Sequence, residues 1–187
     1  MNTLQKLVLS LRNKLRLKGS HSVNIDSTAK LRDCKVSILG NNNSLRVGKN
    51  VKLRNVSIEV DGDSCQLIIE DNCVIGESCY LSVREKGTTL TLGKGCMLSR
   101  NVKVMTSDGH DILKEGKRIN PAKSISIGDK VWLADNVTIL KGVAVGAGSV
   151  VGINSTLTKS ISSQQIAVGN PAKVVASGIE WREELTY

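Results

Sequence analysis

A chain of 187 residues can close one sizeable hydrophobic core, and charged residues at 23% are too ordinary a share for a disordered tail. There is no Phe, with two Trp and two Tyr against 17 Gly and two Pro, so the core must be Val, Ile and Leu in a β-rich chain. The formal net charge of +9 favours anionic partners, but the stacking aromatics and reading motifs of nucleic-acid binders are missing, which sets nucleic acid aside.

Residues 1–21 form the first unit. Leu4, Leu7, Val8, Leu11 and Leu15 fall on one helical face. Lys6, Arg12, Lys14, Arg16 and Lys18 make the segment basic, it has no acid, and Gly19 ends it. The pattern predicts an amphipathic helix. One role for it is to cap the open first turn of the structure that follows; the other is a peripheral contact with an anionic membrane.

Residues 22–162 keep a six-residue hydrophobic beat. It opens with Ile25/Leu31, Val47/Leu53, Ile69/Ile75/Leu81 and Leu92/Leu98/Val104. From Ile127 it runs as IGDKVW, LADNVT, ILKGVA, VGAGSV, VGINST and LTKSIS. Neither a helix near 3.6 nor a strand at 2 sustains a strict period of six. A hexapeptide coil does, with three short strands per turn and turns about 4.8 Å apart. The first residue of each block points inward, and the small fifth residue fits near a corner. Cys73, Cys79 and Cys96 occupy fifth positions and are expected to be small core residues. Ile25 to Val47 is 22 residues and a bare turn is 18, so the early turns carry extra residues. These fall at 40–43, 61–64 and 85–88 and are expected to form hairpin-like protrusions stacked along one corner.

The beat stops at MTSDGHDILKEGKRINPAKS, residues 105–124, which holds one of only two histidines, His110. A loop protruding from the coil is expected there. Residues 163–187 form a C-terminal segment, expected to be a helix or tail with Trp181 as its anchor. The five cysteines, Cys34, Cys65, Cys73, Cys79 and Cys96, show no CxxC spacing and an odd count, which points to reduced thiols. With no apolar run of spanning length and no signal-peptide pattern, a cytoplasmic protein is expected, placed at the inner face of the membrane if the N-terminal helix binds lipid.

IGDKVWLADNVTILKGVAVGAGSVVGINSTLTK followed by AVGNPAKVV resembles the hexapeptide-repeat acyltransferases. Within them it is similar to the maltose/galactoside acetyltransferases and their bacterial capsule and O-antigen relatives, and SDGH…GKRINPAKSISIGDKVW, residues 107–132, is especially similar to the polysaccharide O-acetyltransferases. The resemblance implies an all-β, left-handed parallel β-helix that assembles as a homotrimer with active sites between subunits. It implies acetyl-CoA as co-substrate and a surface glycan, acidic or lipid-linked, as acceptor. His110 occupies the position of the family's general base. Asp108 or Asp111 would accept its imidazole N–H, Asp108 preferred as part of the SD-x-H pattern. Trp132, Asp135, Ile153, Thr158, Lys159 and Lys173 match the cofactor-binding positions. Ala134 stands where the family usually has Gly, and SISSQQ replaces its acidic and proline-rich stretch. Arg84, Lys86, Lys117 and Arg118 make the acceptor side basic, which suits a sialylated or uronic-acid glycan. An N-acetyltransferase acting on an amino sugar and a non-catalytic scaffold or glycan-binding module are the alternatives. A three-histidine zinc site is excluded because the chain has only His21 and His110, so no metal is expected.

Overall fold

The computed structural model describes residues 11–184. The backbone coils through about seven turns and lays its strands on three faces, each paired in parallel from turn to turn. The first face holds Lys14–Lys18, Lys35–Leu39, Ser57–Asp61, Tyr80–Arg84, Lys103–Met105, Thr138–Ile139 and Thr156–Leu157. The second holds His21–Ile25, Asn43–Val47, Gln66–Ile69, Thr89–Leu92, Ile125–Ile127 and Ala144–Val145. The third holds Lys30–Arg32, Lys52–Arg54, Val74–Ile75, Met97–Leu98, Trp132–Leu133 and Val150–Val151. It is closed by Gln165–Gly169, which folds back in an antiparallel hairpin onto Ala172–Ser177.

Register follows the six-residue beat. On the first face Ile58, Leu81, Val104, Ile139 and Leu157 stack directly on one another, all buried. Each such aliphatic stabilises the coil by about 1.5–3 kcal/mol relative to exposure. The fifth positions Val131, Val137, Val143, Ser149 and Ser155 are buried as expected. So are all five cysteines, each a free thiol. The two buried serines at fifth positions are satisfied: Ser149 Oγ donates to Ser162 O at 2.9 Å, and Ser155 Oγ accepts from the Gly169 amide at 2.9 Å. Corner asparagines adopt positive φ, among them Asn101, Asn136 and Asn154. Their side-chain amides link turn to turn, Asn101 to Asn136 at 2.8 Å and Asn136 to Asn154 at 2.9 Å.

Two expectations are corrected. The N-terminal helix does not extend to Gly19: Leu11 and Arg12 are helical, but Lys14–Lys18 is a strand, parallel to Lys35–Leu39. The prism therefore begins by Lys14, before the boundary drawn at residue 22. KLRLK alternates, with Leu15 and Leu17 turned inward and the three cations outward, so it completes a sheet whose next strand would otherwise be an open edge. The rest of the expected helix, residues 1–10, lies outside the described residues.

The extra residues at 40–43, 61–64 and 85–88 do not form hairpins. They lengthen the strands on both sides of one corner to four or five residues, and parallel pairing runs out to that corner. The corner chains stack so closely that a Cβ on Gly40, at φ +98°, would lie 1.9 Å from Gly62 O.

At the other end the tail after Ser177 contains no helix among the described residues, and Trp181 pins it, its indole N–H donating to Lys130 O at 2.7 Å.

Candidate active site

The interruption leaves the prism between the first face, at Lys103–Met105, and the second, at Ile125–Ile127. It is a loop carrying a short antiparallel ladder, Leu113–Lys114 against Lys117–Arg118, closed through Glu115 and Gly116, both at positive φ.

Two anchors tie it down. Glu85 lies at the same corner one turn earlier. Both its oxygens receive Arg118 guanidinium N–H groups at 2.7 Å, and Ser107 Oγ donates to it at 2.6 Å. Arg118 foremost holds the Glu85 carboxyl down at about 2. Arg118 also pairs with Asp111 at 2.9 Å. The second anchor is Asn120, which is buried. Its Nδ2 donates to Asp108 Oδ2 and to the His110 carbonyl, each at 2.8 Å, and its Oδ1 accepts from the Ile112 amide at 2.7 Å. Lys141, at the same corner one turn later, donates to Asn120 O at 2.9 Å and to the Asp108 carboxylate. Lys141 is also the main reason the Asp108 carboxyl sits below its usual range.

These anchors hold the backbone around His110 and leave its side chain exposed. Among the described residues the imidazole makes no hydrogen bond, and only the His110 carbonyl is engaged. The expected bond from the imidazole to Asp108 is not formed within the chain, because Lys141 and Asn120 occupy that carboxylate. Asp111 is likewise taken by Arg118.

Beside the loop is a depression of about 420 Å³ lined by Asp61, Arg84, Glu85, Ser107, Gly109 and Asp111 together with Arg118. Arg84 donates to Glu59 at 2.8 Å, and the Tyr80 hydroxyl donates to the other oxygen of the same carboxylate. Arg84 and Arg118 are thus engaged by carboxylates of this chain, whereas Lys86 and Lys117 are exposed with no ion pair among the described residues.

The residues expected to hold cofactor divide between two places. Trp132 is on the third face; its N–H donates to Ser99 Oγ at 3.1 Å, and its ring packs against Trp181 at 5.9 Å with a 42° tilt. Asp135 and Ile153 follow it at the corner between the third and first faces. Asp135 accepts the Arg100 amide at 2.8 Å and its guanidinium at 2.6 Å, and Arg100 holds its carboxyl below the usual range. Ile153 is 61% exposed. Lys173 lies exposed on the closing hairpin of the third face, while Thr158 and Lys159 are exposed at the loop's own corner. One chain therefore does not bring His110 to Trp132.

Glu85, Asn120 and Lys141 are the residues sequence reasoning missed. Glu85 was hidden in a stretch expected to protrude, Asn120 carries no charge, and Lys141 sits inside a regular hexapeptide block.

A family model for the hexapeptide repeat of succinyl-transferase matches residues 66–105 and 124–159, the gap between them being the loop. The chain is 33% identical over 144 residues to the polysialic acid O-acetyltransferase of Neisseria meningitidis, covering 66% of this chain and 67% of that protein. It is 38% identical over 139 residues to the polysialic acid O-acetyltransferase of Escherichia coli O1:K1 / APEC, covering 73% of this chain but 44% of that protein. The crystal structure of the polysialic-acid-specific acetyltransferase NeuO superposes with a TM-score of 0.77 at 30% identity, covering 94% of this chain and 91% of that one. That likeness makes the coil a left-handed parallel β-helix. By repeat, by architecture and by identity across most of its length, the chain belongs to the hexapeptide-repeat acyltransferases, alongside the bacterial polysaccharide O-acetyltransferases.

Proposed function

We propose that this chain moves the acetyl group of acetyl-CoA to a hydroxyl of an acidic bacterial surface glycan, with His110 as general base. The observation that carries this reading is the doubly anchored loop with an exposed, uncommitted imidazole. Neutral imidazole is the side chain suited to proton abstraction at cytoplasmic pH. It takes the hydroxyl proton as the oxygen attacks the thioester carbonyl. The tetrahedral oxyanion, held by backbone N–H groups, collapses and expels the CoA thiolate. The imidazolium returns the proton to that thiolate.

Asp108 acts as a positioning residue, tying the segment before His110 to Lys141. Trp132, Asp135, Ile153 and Lys173 would form the CoA side, with Trp132 lining the cleft and Lys173 meeting phosphate. Thr158 and Lys159 would complete that side from the loop's corner. The split of these residues between two places in one chain supports a site shared between copies, closed as a homotrimer. Exposed Ile112, Leu113 and Ile119 on the loop, and Val168, Val174 and Val175 on the closing hairpin, are apolar surface that such assembly would cover. Lys86 and Lys117 are the cations free to meet an acidic acceptor, as polysialic acid is; Arg84 and Arg118 shape the depression while engaged by carboxylates of this chain. No helix among the described residues is long and apolar enough to cross a membrane. A cytoplasmic site of action follows from the need for acetyl-CoA.

The test is CoA thiol release from acetyl-CoA with neutral and acidic oligosaccharides. Release that requires an acidic acceptor and yields an alkali-labile ester is expected. Release with neutral glycans alone would refute the acceptor class, and an alkali-stable product would point to amide formation.

A further inference from the structure

The charge of this chain sits at one end of it. Residues 1–54 contain 12 of the 26 Lys and Arg but only two of the 17 Asp and Glu, so this segment alone exceeds the whole chain's net charge of +9. In the fold, residues 14–54 of this segment make the first two turns. On the first face Lys14, Arg16, Lys18 and Lys35 point outward. On the third face Lys30, Arg32, Lys52 and Arg54 do the same. The two groups meet around the corner that joins these faces.

Three pairs of like charge stand directly opposite each other in register: Lys14 with Lys35, Lys30 with Lys52 and Arg32 with Arg54. Such pairs repel at strand spacing and weaken a sheet. Among the described residues only Arg54 of these eight has a carboxylate partner, Glu77 at 3.1 Å. Elsewhere on the prism the arginines are paired, Arg84 with Glu59 and Arg100 with Asp135. Solubility alone does not call for unneutralised repulsion concentrated at one end.

We propose that this end of the prism docks on an anionic lipid bilayer. The patch is shallow along the coil, two turns or about 10 Å high. On the next turn of the first face the outward positions become acidic, Glu59 and Asp61. A polyanion lying along the prism would need charge along its length, whereas a bilayer needs it at one level. Leu11, 77% exposed at this same end, adds an apolar contact beside the cations. Docking there holds the loop, several turns away, clear of the bilayer. The inference goes beyond the acetyl-transfer reading and stands independently of it.

The experiment is co-sedimentation of the full chain with vesicles of phosphatidylcholine, alone or with about 30 mol % phosphatidylglycerol, at low and high salt. Binding to the anionic vesicles that fades with salt is expected. A quadruple variant, Lys30→Ser/Arg32→Ser/Lys52→Ser/Arg54→Ser, should weaken it at least about 100-fold, given the contribution of each surface cation. Thiol release with a short soluble acceptor should be unchanged. A second variant, Lys14→Ser/Arg16→Ser/Lys18→Ser/Lys35→Ser, repeats the test on the other face should the first fail to fold. Absent binding by the full chain, or undiminished binding by a folded variant, overturns the proposal. So does a variant that binds vesicles normally but shows a raised KM for a long acidic glycan, since the patch is then an acceptor subsite.

Discussion

His110, the proposed base, could be singled out in the sequence because it stands where a strict period fails, and a break in a regular coil needs a reason. Replacing it with Ala should lower kcat by about 10² or more with little change in melting temperature, the scale of general-base loss at an exposed position. Its supports were not legible. Arg118 reaches Glu85 across 33 residues of sequence, and Lys141 reaches Asp108 across another 33. Such partners exist only once the loop has folded back over its own corner. Asn120→Ala removes the donors that hold Asp108 and the His110 carbonyl. It is expected to reduce kcat more than KM, because a displacement of about 1 Å at the proposed base can cost 10²-fold in rate. Pre-steady-state measurement of the acetyl-transfer step checks this. The Glu85 carboxyl is depressed to about 2 in the folded chain against a usual value near 4.5. Its contribution is therefore complete above about pH 4.5 and is lost as pH falls toward 2. Limited proteolysis of the loop should accelerate across that window, and in Glu85→Gln the acceleration should already be present at neutral pH.

Among elements, the hexapeptide strands were readable almost residue by residue, since every beat position from Leu31 to Leu157 is buried. The segment KLRLK was misread because its leucines satisfy two periods. Leu11 and Leu15 suit a helix, while Leu15 and Leu17 suit a strand, and the hydrogen bonds offered by Lys35–Leu39 decide between them. The corner insertions were misread for a related reason. Their surplus residues looked like protrusions, yet pairing them with the turns before and after satisfies more backbone groups than isolated hairpins would. Gly40 tests this account. A Cβ there meets Gly62 O at 1.9 Å and the residue holds φ +98°, so Gly40→Ala should cost at least about 1–3 kcal/mol and lower the thermal midpoint by several degrees. A substitution at Gly87, where nothing lies within 4 Å of the added carbon, should cost less even though φ is +75°.

At the scale of the whole molecule, the sequence pattern alone led to a prism, and its resemblance to a family led to a hand and an assembly. The separation of His110 from Trp132 could not be read from either, because it depends on which corner each block reaches. It would give the proposed assembly a chemical purpose. Leu113→Asp with Ile119→Asp places charge on the exposed apolar part of the loop. If that surface packs on a neighbouring copy, light scattering should report smaller particles, and thiol release should fall with them although His110 is intact. Unchanged particle mass would argue against the shared cleft.

Trp132 and Trp181 are the chain's two tryptophans, and their rings lie 5.9 Å apart. With no Phe and only two Tyr, near-ultraviolet absorption and emission arise largely from this one indole pair. Excited states that close together couple, so the unlabelled protein carries its own optical gauge at the expected thioester cleft. A molecule that parts or covers the rings changes the circular dichroism and the emission together. In His110→Ala the gauge should survive intact, letting occupancy be watched by light while turnover is silent.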